Sequence, residues 1–330
     1  MQSSKVRILL AGHGVLTRGL LQALLVNTEC EVVGVFLWSN RTNASVAAKR
    51  YDQASRRLVR KGAIPEIRYN SINDPDFQKR LSELEVDCVL IGSWGEKLTT
   101  ALETKNVLFV NCHPSLLPFH RGANPYFTTI VAGDVESGVS FHLIDEGYDT
   151  GPLILQNRLA VHDTDTGYSL RQRCSELAAS MTDQLVEILN NRDAMQITAQ
   201  ENLGEPSYSR QVTQEDAILD WNQDALTLHR QIRAVTPWRQ PNFKIGSVSR
   251  LVISAAQNRS AKINQAKRGS VVEITNDMVW INAGDQDIGF KQPRLTLFGI
   301  MMSWTWSKSL LSYMMPVGTR LPTNHKVSNY

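Results

Sequence analysis

The first half of the chain alternates between two hydrophobic periods. Residues 6–11 (VRILLA) form a short unbroken apolar run closed by Gly12, the pattern of a strand buried on both faces. Over residues 15–25 the leucines at 16, 20, 21, 24 and 25 fall at helical spacing. Residues 31–37 (EVVGVFL) predict a second strand, and the polar, basic residues 43–61 a helix. FQKRLSELE predicts another helix ahead of a third strand at 87–91 (DCVLI), and NVLFVNCH at 106–113 a fourth. Strands alternating with helices make βαβ units, hence a parallel sheet with helices on both faces.

The pattern then changes. Residues 138–144 (GVSFHLI) alternate, residues 151–161 are rich in Leu, Ile and Val, and a turn-like DEGYDTG lies between them, so the pair predicts a hairpin-like extension. Residues 167–190 predict one long amphipathic helix, with Leu170, Cys174, Leu177, Ala178, Met181, Leu185 and Leu189 on its apolar face. Residues 191–210 carry Asn, Asp, Gly, Pro and Ser and predict a linker. A helix at 224–234 follows, then the short pieces SRLVIS, GSVVEI, DMVWINA and RLTLFGIM, which predict a small β-barrel.

Composition narrows the class without naming a function. The 330 residues are 42% hydrophobic and 20% charged, which suits soluble globular domains and excludes collagen, a coiled coil or disorder as the main architecture. The net charge is +3, but it is unevenly spread: residues 205–330 hold 15 basic and 9 acidic residues, the rest 20 and 23. The four cysteines form no CxxC pair or metal-like spacing and read as buried thiols. The N-terminal apolar run is too short for a secretory leader. The apolar stretch at 295–306 stops short of the ~20 residues a membrane helix needs. A cytoplasmic enzyme with no membrane association is expected.

Three places carry candidate chemistry. Gly12-His13-Gly14 with Gly19 follows the first strand, where a Gly-rich turn can cradle phosphate. The spacing is not GxGxxG and Glu31 fits a ribose-binding acid only loosely, so a tight turn lining a cleft is the expectation. Asn111 and His113 end a buried strand, and period two puts both on one face with Cys112 on the other. Pro114 then stops the ladder, and Ser115 to Pro118 and His120-Arg121-Gly122 follow. Polar side chains at the carboxyl end of a parallel strand are where such sheets place their sites. Asp145 to Gly151 is an acidic turn or a third part of that site.

The second and third segments together are similar to the signature region of the formyltransferase family that uses 10-formyltetrahydrofolate. The features are Asn111-x-His113, Ser115-Leu116-Leu117-Pro118, Arg121-Gly122, Gly138-Val139-Ser140 and Asp149-Thr150-Gly151, in order and at family-like spacing. Residues 206–240 resemble the start of the C-terminal domain found in the methionyl-tRNA branch of that family. They carry Asp216, Ile218-Leu219-Asp220-Trp221, Ile232-Arg233-Ala234 and Pro237-Trp238. RGSVVEI and PVGTRL resemble later parts of the same barrel. The resemblance implies an α/β fold: a Rossmann-like catalytic domain with a parallel sheet core over 1–204 and an OB-like barrel over 205–330.

It also implies roles. An amine attacks the formyl carbon and produces a tetrahedral oxyanion. Asn111 would stabilise it, His113 would donate to it or pass protons, and Asp149 would pair with His113 and accept the amine's proton. No metal is required. The folate would sit near Ile91, Gly92, Trp94, Gly95, Leu98, Asp145 and Gly147, with Trp94 either stacking in that pocket or only packing. Ser115, Leu116, Leu117, Pro118, Arg121 and Gly122 would contact substrate. His142 falls on the strand facing the site, as a substrate contact or a satisfied core histidine.

The acceptor is left with two readings. The match at 206–240 places methionyl-tRNA first, with Arg250, Arg259, Lys262, Lys267 and Arg268 able to meet phosphates or to form a solvated basic face. Against it, the segment after the second strand, Trp38 to Asn43, lacks the family's Pro-Asp-Arg-Pro-like loop. A basic stretch with Lys49, Arg50, Arg56, Arg57, Arg60 and Lys61 follows instead. The bulky Tyr126 and Phe127 also depart from the tRNA-enzyme pattern. An aminosugar nucleotide is the alternative acceptor. A hydrolase releasing formate from the same folate ranks lower, because the chain starts at its first strand with no regulatory domain before it.

Overall fold

Apolar runs become strands where they are long enough to cross a sheet once. Strand β1 (Val6–Gly12) is followed by helix α1 (Gly14–Leu24) and strand β2 (Cys30–Leu37). Helices α2 (Gln53–Lys61) and α3 (Pro75–Glu83) lead to β3 (Cys88–Gly92) and β4 (Leu108–His113). The computed structural model describes residues 5–40, 52–99, 106–245, 249–253, 256–261, 266–297 and 300–321. The expected helix at 43–61 is therefore seen from Gln53 onward, and its earlier part lies outside the described residues.

The chain continues with β5 (Arg121–Gly122), α4 (Pro125–Ala132), β6 (Glu136–Leu143) and β7 (Leu153–Ala160). One six-stranded sheet runs β2-β1-β3-β4-β6-β7. Its first four strands pair in parallel, while β4–β6 and β6–β7 are antiparallel. The sheet is thus mixed, with a parallel core and the expected hairpin added at one side. Leu9 and Ala11 of β1 and Val89 and Ile91 of β3 pack in one cluster with Phe77 and Leu81 of α3. The alternate residues Ile8, Leu10, Cys88 and Leu90 are equally buried, as a sheet covered on both faces requires.

The long helix expected at 167–190 is two, α5 (Gly167–Ser180) and α6 (Thr182–Asn190). The break falls at Met181, where the Ser180 hydroxyl bonds the Leu177 carbonyl and the Thr182 hydroxyl the Ala178 carbonyl. Hydroxyls that compete for helix carbonyls are a common cause of such bends. Residues 191–210 are not a free connector. Thr198 bridges Leu153, and β8 (Tyr208–Ser209) pairs in parallel with β5.

The second half holds helix α7 (Ala225–Val235), capped by the Asp224 carboxylate on the Thr227 N–H. Two four-stranded antiparallel sheets follow. One is ordered β16-β15-β10-β9, from β9 (Asn242–Ile245), β10 (Ser249–Val252), β15 (Arg294–Leu297) and β16 (Ile300–Met301). The other is β11-β14-β13-β12, from β11 (Ala256–Ser260), β12 (Val271–Ile274), β13 (Met278–Asn282) and β14 (Gln286–Lys291). Helix α8 (Trp304–Met314), which the apolar pattern does not predict, gives Leu311 to a core that includes Trp221, Leu228, Phe243, Ile281 and Phe290.

The structure divides into two compact units. The first takes residues 1–126, 135–162 and 169–210, the second residues 127–134, 163–168 and 211–330. Among the described residues no helix is long and apolar enough to cross a membrane.

Candidate active site

Strand periodicity assembles the site. Asn111 and His113 share a face of β4, and the register with antiparallel β6 sets His142 opposite Asn111 and Ser140 opposite His113. Side chains directly opposite in a ladder lie on the same face. Four polar residues therefore meet at the carboxyl end of β4, where the parallel part of the sheet ends. The loop between β6 and β7 returns over them and supplies Asp149, whose backbone is left-handed, with φ +56°.

The distances define a connected cluster. Asn111 Nδ2 donates to Asp149 Oδ1 at 2.9 Å and lies 3.1 Å from His142 Nε2. Asp149 Oδ2 accepts from the Gly122 N–H at 2.8 Å and lies 3.4 Å from His113 Nδ1. His113 Nε2 is 2.9 Å from the His120 carbonyl oxygen, and His142 Nδ1 is 2.8 Å from that of Leu143. A carbonyl can only accept, so these nitrogens carry the protons in both rings. His142 Nε2 is then an acceptor for Asn111. His113 Nδ1 is a bare lone pair facing a carboxylate, the place where an arriving proton would be held.

Electrostatics agree. Burial holds His113 below the usual histidine value, and the Asp149 charge opposes this without overcoming it. For Asp149, burial resists ionisation. The charge of His113, the closeness of the His142 ring and the Gly122 N–H together outweigh it, and the carboxyl lies well below the usual carboxylate range. The resting pair is a neutral imidazole beside an ionised carboxylate. Both Asn111 N–H groups are engaged, so an oxyanion would have to take one of them over.

The remaining expected contacts divide between site and scaffold. Ser115 is buried and donates to the Phe119 carbonyl at 2.6 Å; Leu117 is buried and bonded to Pro118 through a cis peptide. Leu116 is half-buried, with Gly138 against its side chain. Ser140, on the same face as His142, accepts from the Leu117 N–H and from Gln156, and donates to the Ser115 carbonyl. The 114–118 turn is therefore pinned to β6. Its alternation with His142 is a signal the sequence already contains. Arg121 is buried with its guanidinium on Gln200, and Gly122 supplies a backbone donor to Asp149.

Beside β4, Ile91 pairs in register with Asn111, and Gly92 ends β3. Trp94 is half-buried; its ring lies 5.0 Å from Phe36 and 4.8 Å, edge-on, from Trp38, and its Nε1 donates to Glu96. Gly95 is exposed beside the Trp38 ring, whereas Leu98 is in the core. Asp145 Oδ1 accepts from Thr150 Oγ1 at 2.6 Å and from the Gly147 N–H at 3.0 Å. A Cβ on Gly147 would collide with Thr150 Oγ1, so this turn requires glycine there.

The Gly-rich turn after β1 already holds an anion. The buried Asp52 carboxylate accepts from the Gly14 N–H at the start of α1 and from the Ser39 N–H, both at 3.1 Å. The chain's own carboxylate thus satisfies the helix end that a phosphate would use. In the second half, Arg259 is committed elsewhere. It pairs with Glu273 at 2.7 Å and Asp287 at 3.3 Å and stacks 3.8 Å over the Trp280 ring. Lys267 and Arg268 are exposed; the Arg250 side chain and Lys262 lie outside the described residues.

Residues 4–186 match the family described as formyl transferase, and residues 211–304 the one described as formyl transferase, C-terminal domain. Among curated proteins, the methionyl-tRNA formyltransferase of Pseudomonas paraeruginosa is 29% identical over 282 residues, 85% of this chain and 88% of its own length. That of Hahella chejuensis is 27% identical over 284 residues, 86% and 87% of the two chains. Among solved structures, the N-formyltransferase from Helicobacter canadensis in complex with folinic acid and dTDP-3-aminofucose aligns with a TM-score of 0.64 at 19% identity. That alignment covers 87% of this chain and 99% of that one. HypX from Aquifex aeolicus, in complex with tetrahydrofolic acid, aligns with a TM-score of 0.59 at 17% identity, covering 99% of this chain and 50% of that one. At these identities the two structures share its fold.

Proposed function

The chain belongs to the formyl transferase family, and we propose from that premise that it moves a formyl group from 10-formyltetrahydrofolate to a primary amine, with methionyl-tRNA as the acceptor. The observation that carries the chemistry is the meeting of Asn111, His113 and Asp149 within hydrogen-bond or ion-pair reach at the end of β4. Attack by an amine on the formyl carbon creates a negative oxygen and a surplus proton on nitrogen. Asn111 offers N–H donors to that oxygen, an interaction of the oxyanion-hole kind. His113 Nδ1 takes the proton and Asp149 stabilises the imidazolium that results; the proton then passes to N10 of the folate as the intermediate collapses and the bond from the formyl carbon to N10 breaks.

The residues beside the cluster suit the folate. Ile91 and Gly92 bring backbone to the edge of the Asn111 strand; Trp38 touches Trp94 edge-on, and Trp94 and Ile144 pack against one core cluster, apolar surface of the kind that suits a flat ring system. Asp145 and Gly147 keep the 145–150 turn in shape on the other side. Arg121 serves the acceptor less directly than the resemblance implies, since its guanidinium Nε and one terminal nitrogen are bonded inside the fold.

Methionyl-tRNA is favoured by the match of residues 211–304 to the family's C-terminal domain and by two curated relatives of that name that align over 85% or more of the chain. An aminosugar nucleotide is the second reading, favoured by the bulky Tyr126 and Phe127 after Gly122. A formyl-transfer assay with 10-formyltetrahydrofolate against methionyl-tRNA and a panel of aminosugar nucleotides tests the pair. Turnover of methionyl-tRNA is expected. A protein that leaves it unmodified but formylates an aminosugar nucleotide reverses the order.

A further inference from the structure

We propose that Gln200 is a positioning residue that holds Asp149 in reach of His113. Gln200 lies in a segment whose composition predicts a linker, yet it is 1% exposed. Its Nε2 donates to the carbonyl oxygens of Asp149 at 3.0 Å and Gly151 at 2.6 Å. Its Oε1 accepts from Arg121 Nε at 3.0 Å and Nη2 at 2.7 Å. A glutamine side chain has two N–H donors and two lone pairs. All four are used, and each goes to the strip or the loop that flanks the carboxylate.

The geometry needs such a clamp. Asp149 is a non-glycine residue at φ +56°, a conformation that persists where the surroundings over-determine it. Gly122 and Asn111 fix the carboxylate itself, but only Gln200 is seen to bond the Asp149 backbone, among the hydrogen bonds of the described residues. The same amide holds Arg121, whose neighbour Gly122 donates to Asp149 Oδ2. The Arg121–Gly122 strip is tied to the same stretch of chain again, through the Arg121 N–H on the Ser207 carbonyl and the β5–β8 pairing. One side chain thus sets the carboxylate from both directions. Glutamate would keep the bond to Arg121 but turn a carboxylate on two carbonyl oxygens. Leucine would keep the bulk and lose every bond.

The inference rests on the reading of Asp149 as part of the formyl-transfer site, and the test separates the two. Gln200→Leu, Gln200→Glu, Asp149→Asn and the Gln200→Leu/Asp149→Asn pair are made in the full chain. The proteins are melted, assayed with 10-formyltetrahydrofolate and methionyl-tRNA or whichever aminosugar nucleotide is turned over, and titrated by histidine NMR without substrate. Each Gln200 variant is expected to lower kcat by about tenfold to a hundredfold, with KM changed by less than about threefold, the scale of a misplaced catalytic group. In Gln200→Leu the His113 midpoint moves down, as it does in Asp149→Asn, because the carboxylate charge that raises it has moved away. On the Asp149→Asn background Gln200→Leu adds less than about twofold, because residues acting through one another are not additive.

Native kcat in a folded Gln200 variant, an unmoved His113 midpoint, or losses that multiply in the double variant would each overturn the assignment. If Gln200→Leu does not fold, the same outcomes are read from Gln200→Glu, which retains the partner of Arg121. Native turnover by Asp149→Asn sinks the site reading itself. A crippled Asp149→Asn beside an unaffected Gln200→Leu sinks only the positioning role.

Discussion

His113 has two ring nitrogens with separate work. Nε2 is bound to a backbone carbonyl and fixes the ring, which leaves Nδ1 free to act as the base in the proposed reaction. Removal of that base in His113→Ala is expected to lower kcat/KM by about 10²–10⁴-fold, and removal of the oxyanion donor in Asn111→Ala by about 10²–10³-fold, each with an unchanged circular dichroism spectrum. The base works when neutral, so activity should rise with pH through an acid limb centred below 6.5, because burial holds His113 below that ordinary value. The limb reports the coupled His113–Asp149 pair rather than one residue. Stability follows the same direction. The unfolded histidine binds its proton at a higher pH than the folded one, so stability falls as the pH drops below 6.5 toward the folded value. Asp149 stabilises the fold above its ordinary carboxylate value of 3.8, and that contribution is lost as the pH falls through its lower folded value. Thermal melts across pH 4–8 check the histidine part, and a stability that is flat below 6.5 contradicts it. Asn111 and His113 are legible in the sequence because two polar residues two apart at the end of an apolar strand must share a face. Gln200 and Asp52 are not. Their partners lie far off in sequence, and no local period marks a side chain that bonds a distant backbone.

At the scale of elements, the decisive unit is the β6–β7 loop rather than any strand. Asp145 folds it with two bonds from its own loop, and Gly147 must stay without a side chain for Thr150 to make one of them. Gly147→Ala is expected to cut kcat/KM by about tenfold or more through displacement of Asp149, at an overpacking cost of about 1–3 kcal/mol in a urea titration. An unfolding midpoint far lower with normal activity per folded molecule contradicts that account. Most elements follow from the apolar periods, because strand and helix both need a continuous buried stripe. The break at Met181 does not, since the apolar face of 167–190 continues across it and only the Ser180 and Thr182 hydroxyls, which add bonds to the carbonyls of Leu177 and Ala178, mark the place. Helix α8 also escapes the pattern. Its segment is mixed in Trp, Ser, Met and Leu, and its start at Ser303 makes no side-chain cap bond.

For the molecule as a whole, the small net charge conceals a division, with the excess of basic residues confined to 205–330. If methionyl-tRNA is the acceptor, kcat/KM should fall as salt rises, and each phosphate-contacting cation removed should flatten the log–log slope by about 0.7–0.9. Lys267→Ala and Arg268→Ala are the variants to try, as both side chains are exposed. Arg259→Ala should behave otherwise, lowering the melting temperature with the salt slope kept, because its charge is spent on Glu273, Asp287 and Trp280. A slope that flattens for Arg259→Ala and not for the other two reverses this assignment.

The second compact unit is not one continuous stretch, since residues 127–134 and 163–168 belong to it together with residues 211–330. The Arg233 guanidinium bonds the Asp165 carbonyl at 2.5 Å, and a Cβ on Gly133 would strike the Arg230 guanidinium. Grafting a relative's tail onto this chain at a single splice near residue 210 would therefore transplant an incomplete body, with two of its pieces still encoded by the recipient. Chimeras made to exchange acceptor preference should carry all three segments together, and a simple tail swap should yield misfolded product even where both parents are stable.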